Sequence, residues 1–151
     1  MTSINKMHTI VSLLAIGLFL GSCNPKPEKI NFGKDNCAEC KMTIMDAKFG
    51  AEIVTKKGKV YKFDDSHCVA TFLKRRGVEL NSISKTLFVD YNNGDFIEVK
   101  MAEFVVSSQL KSPMGGNAAA FKNKAEAQKK ADEIEGSRIT NWATLYNILI
   151  K

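Results

Sequence analysis

The sequence predicts an α+β fold in which the second half of the chain repeats the element order of the first. Short β-prone runs sit on either side of glycine-containing turns. Helices announced by side-chain caps lie between these runs, and the same alternation of hairpin, helix and strand resumes after residue 100.

The chain opens with Lys6 and a mostly apolar run from Thr9 to Leu20. That run is shorter than the roughly 20 apolar residues a bilayer span needs, and it suits the core of a secretion signal. It ends in Leu20-Gly21-Ser22-Cys23, small residues before a cysteine, as lipoprotein processing requires. Residues 1–22 therefore read as a lipoprotein signal peptide and Cys23 as the thiol that carries the lipid. The mature protein is expected on a membrane outside the cytoplasm, facing the periplasm. Residues 23–34, with Pro25 and Pro27 among charged neighbours, read as a lipidated tether too poor in apolar side chains to pack.

Ala51 to Thr55 and Val60 to Phe63 flank Lys56-Lys57-Gly58-Lys59, a β-hairpin with the glycine in the turn. Asp64-Asp65-Ser66 supplies caps for a helix whose Val69, Phe72 and Leu73 share a face. Lys74-Arg75-Arg76 complements its last turn and Gly77 stops it. Leu87 to Tyr91 and Asp95 to Val99 read as strands joined by Asn92-Asn93-Gly94. Beyond residue 100, Met101-Ala102-Glu103 reads as a helical turn before an extended Phe104-Val105-Val106. The loop Ser112-Pro113-Met114-Gly115-Gly116 leads to an apolar run, Ala118 to Phe121. Asn123 with Glu126 opens a helix expected to run to Gly136. A strand at Arg138 to Thr140 follows, and Asn141 caps a last helix with Trp142, Leu145, Tyr146 and Leu149 on one face.

The formal net charge is +6. The basic residues are scattered without a run that would track a phosphate backbone, which argues against a nucleic-acid partner. The balance suits solubility or contact with anionic lipid. No Ser/His/Asp set, phosphate loop or paired-carboxylate motif points to an enzyme.

Of the four cysteines, Cys23 is spent on lipid, leaving Cys37, Cys40 and Cys68. Three thiols in an oxidising compartment cannot all pair within the chain, so one is free, metal-bound or paired elsewhere. Cys37 and Cys40 carry the spacing that aims two sulfurs at one centre. Met42 and Met45 follow closely, and Met114 sits in a Pro-Met-Gly-Gly loop where a core residue is out of place. Thioethers suit Cu(I) and are poor ligands for zinc, so two thiolates with one or two methionines make a soft site for a monovalent ion. Met45 is expected to be core filler, whereas Met42 fits either role. Cys68, in the first turn of a helix, is expected to have a lowered pKa from the helix dipole.

Two other readings stand beside copper. Cys37, Cys40, Cys68 and His67 make a Cys₃His set for structural zinc, which would serve an interaction module. Cys37 and Cys40 also match a thiol-disulfide oxidoreductase, although that activity wants a helix starting at the pair and none is signalled. Asp64-Asp65 reads as capping and not as a ligand pair, because hard carboxylates do not match soft sulfur.

The segments Asp35-Asn36-Cys37-Ala38-Glu39-Cys40-Lys41-Met42-Thr43-Ile44, Lys62-Phe63-Asp64-Asp65-Ser66-His67-Cys68, Val89-Asp90-Tyr91 and Pro113-Met114-Gly115-Gly116 with Ala118-Ala119-Ala120-Phe121 resemble those of the NosL family in the same order. These are membrane-anchored copper proteins accessory to the assembly of nitrous oxide reductase. The resemblance implies two small similar ββαβ modules behind the lipidated tether, with residues 35–99 carrying the CxxCxM motif and 100–151 the PMGG loop. It implies Cu(I) as cargo, with Cys40 and Met114 as its first ligands and then Cys37 and Met42; His67 and Cys68, read from the residues alone, are weaker candidates. As partners it implies a membrane-bound ABC-type maturation complex and the apo form of a copper enzyme. One departure is Lys41, at a place where the family often has glycine.

Overall fold

A computed structural model describes residues 25–151; the expected signal peptide and Cys23 lie outside the described residues. The β-branched run Ile53-Val54-Thr55, in a segment buried on both faces, makes β1 (Ala51–Thr55) a central strand that pairs antiparallel with β2 (Val60–Phe63). Gly58 takes φ +83 in the turn between them, where a side chain would be strained. Helix α1 (Ser66–Lys74) follows, then β3 (Ile83–Val89), which pairs with the other edge of β1, and β4 (Phe96–Glu98). The first sheet has the order β2-β1-β3-β4.

The second half builds β5 (Glu103–Val106), β6 (Ala118–Phe121), helix α2 (Lys124–Asp132) and β7 (Arg138–Thr140) into a sheet of order β6-β5-β7. Each half thus contains a ββαβ unit whose first strand is paired on both sides, β4 adds an edge strand to the first sheet, and α3 (Trp142–Leu149) closes the chain. Among the described residues no helix is long and apolar enough to cross a membrane.

Local signals account for most of these boundaries. Asp65 caps α1 by accepting from the His67 and Cys68 amides; Asn123 and Asn141 do the same for Glu126 and Thr144. Helix α2 stops at Asp132, short of Gly136, which lies past the helix in a turn at φ +71. At the end of α1 the left-handed residue is Arg76 (φ +54) and not Gly77. Gly77 serves proximity instead, since a Cβ there would stand 2.4 Å from the Phe72 ring. The strand predicted from Leu87 begins earlier, at Ile83, and stops at Val89. Asp90 then leaves the sheet to bridge Ala120.

The two modules share one main core. Ile53, Phe63, Val69 and Phe88 of the first pack with Phe104, Ala118 and Ala120 of the second and with Leu145 of α3. Phe88 meets Phe104 edge-on at 4.9 Å between ring centroids and lies 4.9 Å from Trp142. A smaller core under α2 gathers Val105, Ala119, Phe121 and Ala127.

The tether expected over residues 23–34 is partly wrong. Ile30 is 4 % exposed and belongs to the main core, with Phe32 packed beside it. Gly50 makes room for it: a Cβ there would lie 2.9 Å from the Ile30 Cδ1. The Glu28 amide donates to Glu52 Oε1 at 3.0 Å. Lys62 Nζ donates to the Lys29 carbonyl at 3.1 Å and to Asp35 Oδ2 at 2.8 Å. The strap formed by residues 28–35 is therefore part of the fold.

Candidate metal centre

The CxxC segment folds into a closed turn. Asn36 bridges Thr43, the Cys37 amide donates to the Met42 carbonyl at 2.8 Å, and the Lys41 amide donates to the Cys37 carbonyl at 3.1 Å. Lys41 closes the turn at φ +66, the left-handed region where glycine is easiest. The lysine accepts the strain of that conformation. The Ala38 amide donates to the Lys62 carbonyl at 2.7 Å and Glu39 pairs with Arg75 at 2.9 Å, fastening the turn to β2 and to the end of α1.

That docking carries Cys37 and Cys40 to the first turn of α1, where Cys68 waits. The three Sγ atoms all lie within 4.8 Å of one another, and all three thiols are free. Three sulfurs bound to one ion at about 2.3 Å would stand about 4 Å apart, so the spacing fits a single metal ion with modest contraction. Cys37 and Cys68 are buried (1 % exposed each), while Cys40 is only partly so and opens the group toward the surface.

The thiols are unequal. Cys37 accepts a hydrogen bond from the Cys68 thiol and from backbone amides of Cys40, Asp64 and Glu39, which together bring its pKa down to about 5 against the opposing effect of burial. Burial pushes the Cys40 thiol up, despite an amide hydrogen bond from Met42. Cys68 is pushed up as well, because its proton is held by Cys37 and because it is buried near Asp65. The expected lowering at Cys68 is therefore reversed. The Asp65 carboxylate already occupies the helix N-terminus, and Cys68 acts there as the donor to its neighbour. Asp64, which we expected to help cap the helix, does not cap it. It is buried with Oδ1 lacking a partner, and burial, followed by the charge on Cys37, raises its pKa to about 6. A thiolate and two carboxylates thus sit together, and among the described residues no lysine or arginine pairs with either carboxylate. Such a site favours a cation.

The remaining candidates divide. His67 stays outside the thiol group, with Nε2 3.4 Å from Thr71 Oγ1, so the Cys₃His set is not assembled. Met42, two residues beyond Cys40, is 58 % exposed. Met45, expected in the core, is 68 % exposed because its neighbour Ile44 takes the buried place. Met114 is half-buried and packs against the core that holds Cys37 and Cys68. Its amide donates to Asp65 Oδ2 at 3.0 Å, the same carboxylate whose other oxygen caps Cys68. The pair Cys37–Cys40 lies in a turn with no helix starting from it, and the low-pKa sulfur is the one shielded from solvent. Neither feature suits thiol-disulfide exchange.

Fold and site together define a small double-ββαβ domain with a buried thiol centre fit for a soft metal ion. The family model NosL matches residues 29–147, and the chain belongs to the NosL family. None of the curated proteins compared matches the chain. Among solved structures, the fold is similar to the crystal structure of the copper chaperone NosL from Shewanella denitrificans. The TM-score is 0.65 with 22 % identity over 78 % of this chain and 92 % of that one.

Proposed function

We propose that this protein is a Cu(I) metallochaperone and not an enzyme. Its cargo would sit on Cys37, Cys40 and Cys68 with the thioether of Met114, and with Met42 at the lip where copper enters or leaves. Lipid on Cys23 anchors it to a membrane outside the cytoplasm, facing the periplasm. It delivers copper to a membrane-bound maturation complex for a periplasmic copper enzyme, nitrous oxide reductase. The observation that carries the reading is the meeting of three thiols from two distant segments beside a methionine loop that is held by the buried Asp65 carboxylate. Thiolate with thioether selects a monovalent soft ion over zinc. Membership in the family and likeness to a copper chaperone support the same cargo.

Titration of the reduced chain with Cu(I) against a competing chelator tests the site. We expect one tightly bound ion per chain, and loss of more than about a hundredfold in affinity for Cys40→Ser with Met114→Ala, beyond what removing a supporting residue costs. Unchanged binding in that double variant overturns the ligand set. One zinc per chain in protein purified under reducing conditions, held without any dependence on methionine, overturns copper as the cargo.

A further inference from the structure

Asp65 is fully buried, and its two oxygens face two different parts of the chain. Oδ1 accepts the His67 amide at 2.9 Å and the Cys68 amide at 3.2 Å, both in the first turn of α1. Oδ2 accepts the Ser112 hydroxyl at 2.6 Å and the amides of Met114 and Gly116 at 3.0 and 3.1 Å. An ordinary helix cap needs only the first pair. The second set spends a buried carboxylate on a loop some fifty residues away, with neutral donors and no cation to balance its charge.

The loop is shaped to receive it. Gly116 lies so close to α1 that a Cβ would stand 2.5 Å from Ser66 Oγ and 2.9 Å from the His67 amide nitrogen. Ser112 Oγ also accepts the Asn117 amide at 2.7 Å, and Asn117 Oδ1 accepts the Ser112 amide at 3.1 Å, closing the loop on itself. The backbone nitrogens of Cys68 and Met114 are thereby each held within 3.2 Å of one carboxylate.

We propose that Asp65 is the positioning residue of the copper site, fixing the Met114 loop of the second module against the Cys68 helix of the first so that thioether and thiols address one ion. The proposal rests on the copper reading above. It adds that the affinity contributed by Met114 exists only while the loop is seated on Asp65. Supporting groups of this kind commonly cost about ten- to a hundredfold in metal affinity when removed.

The test is a double-mutant cycle on Cu(I) affinity in the whole reduced chain, with Gly116→Ala to unseat the loop and Met114→Leu to remove the thioether. We expect each single change to weaken binding by about ten- to a hundredfold, and the double variant to bind no more weakly than Met114→Leu alone. Asp65→Asn, which turns an acceptor toward the amides into a donor, should behave as Gly116→Ala does. If it fails to fold, Gly116→Ala and Ser112→Ala still decide the matter. With ¹³C-methyl methionine, Cu(I) should shift the Met114 methyl resonance in the parent chain and leave it unshifted in Gly116→Ala, while thiolate binding persists. A purely structural Asp65 would leave that resonance responsive. Equal losses from Gly116→Ala in both backgrounds, or none in either, overturn the proposal. Where Met114→Leu alone changes nothing, the ligand set fails first and the positioning role falls with it; where only Gly116→Ala is silent, the copper reading stands and the role of Asp65 does not.

Discussion

The two modules share the order of three strands, β2-β1-β3 and β6-β5-β7, and differ in what they do with the sheet face turned away from their own helix. Ala51 pairs with Phe63 at the end of the first hairpin, and Glu103 pairs with Phe121 at the end of the second. One step along, Glu52 and Phe104 hold corresponding places on the central strands, and both are fully buried. In the second module that face is apolar and docks, through Phe104, onto the first module and α3. In the first it carries a carboxylate covered by the strap from residue 28, with Glu52 Oε1 holding the Glu28 amide and Oε2 holding nothing. The helices differ in the same sense. Helix α1 buries Cys68, Val69, Ala70 and Phe72, whereas α2 buries only Ala127. One topology has been divided between a module that carries the thiols and a module that supplies a buttress and one loop.

Three changes break or sharpen that contrast. Phe104→Ala should cost about 3–5 kcal/mol, and denaturant unfolding should remain a single transition, because the shared core joins the modules. Two separated transitions would show that the buttress folds by itself. Glu52→Gln tests the opposite face. Burial raises the Glu52 pKa to about 7, with Lys62 and Glu28 as the charged groups facing it. The folded state therefore holds a proton that the unfolded chain releases above about pH 4.5. The stability this confers is fully present at low pH and is lost as pH rises through about 7, a fall of about 3 kcal/mol. Glutamine keeps the acceptor for Glu28 and removes the titration. Between pH 5 and 8, metal-free Glu52→Gln should therefore lose less stability than the parent chain, Asp64 contributing alike in both. Parallel pH profiles would refute the buried-proton account. The smallest effect belongs to the second module's cap: Asn123→Ala should lower stability by about 1 kcal/mol and leave Cu(I) affinity unchanged.

What could be read in advance was local. Asp65, Asn123 and Asn141 announce their helices because each caps an amide two or three residues ahead, and the hairpin around Gly58 needs only its own sequence. What could not be read depends on residues far along the chain. Nothing around Ile30 shows that Gly50 leaves space for it, so a buried strap looked like loose tether. The second oxygen of Asp65 gives no local sign, since its partners begin at Ser112. Cys37 and Cys40 declare themselves by spacing, but Cys68 joins them only because the turn docks on β2 and on the end of α1. Methionine carries no positional signal of its own, so Met45, taken for core, lies in solvent.

The buried strap also sets a length. With the proposed lipid on Cys23 and the chain already fastened at Glu28, five residues separate membrane from fold, at most about 18 Å when fully extended. Twelve free residues would have allowed more than twice that. On that anchor a leash this short would keep the domain near the bilayer, and the CxxC turn is fastened to the same strap through Lys62 and Asp35. A membrane-bound recipient would then find the domain only within that short reach of the bilayer.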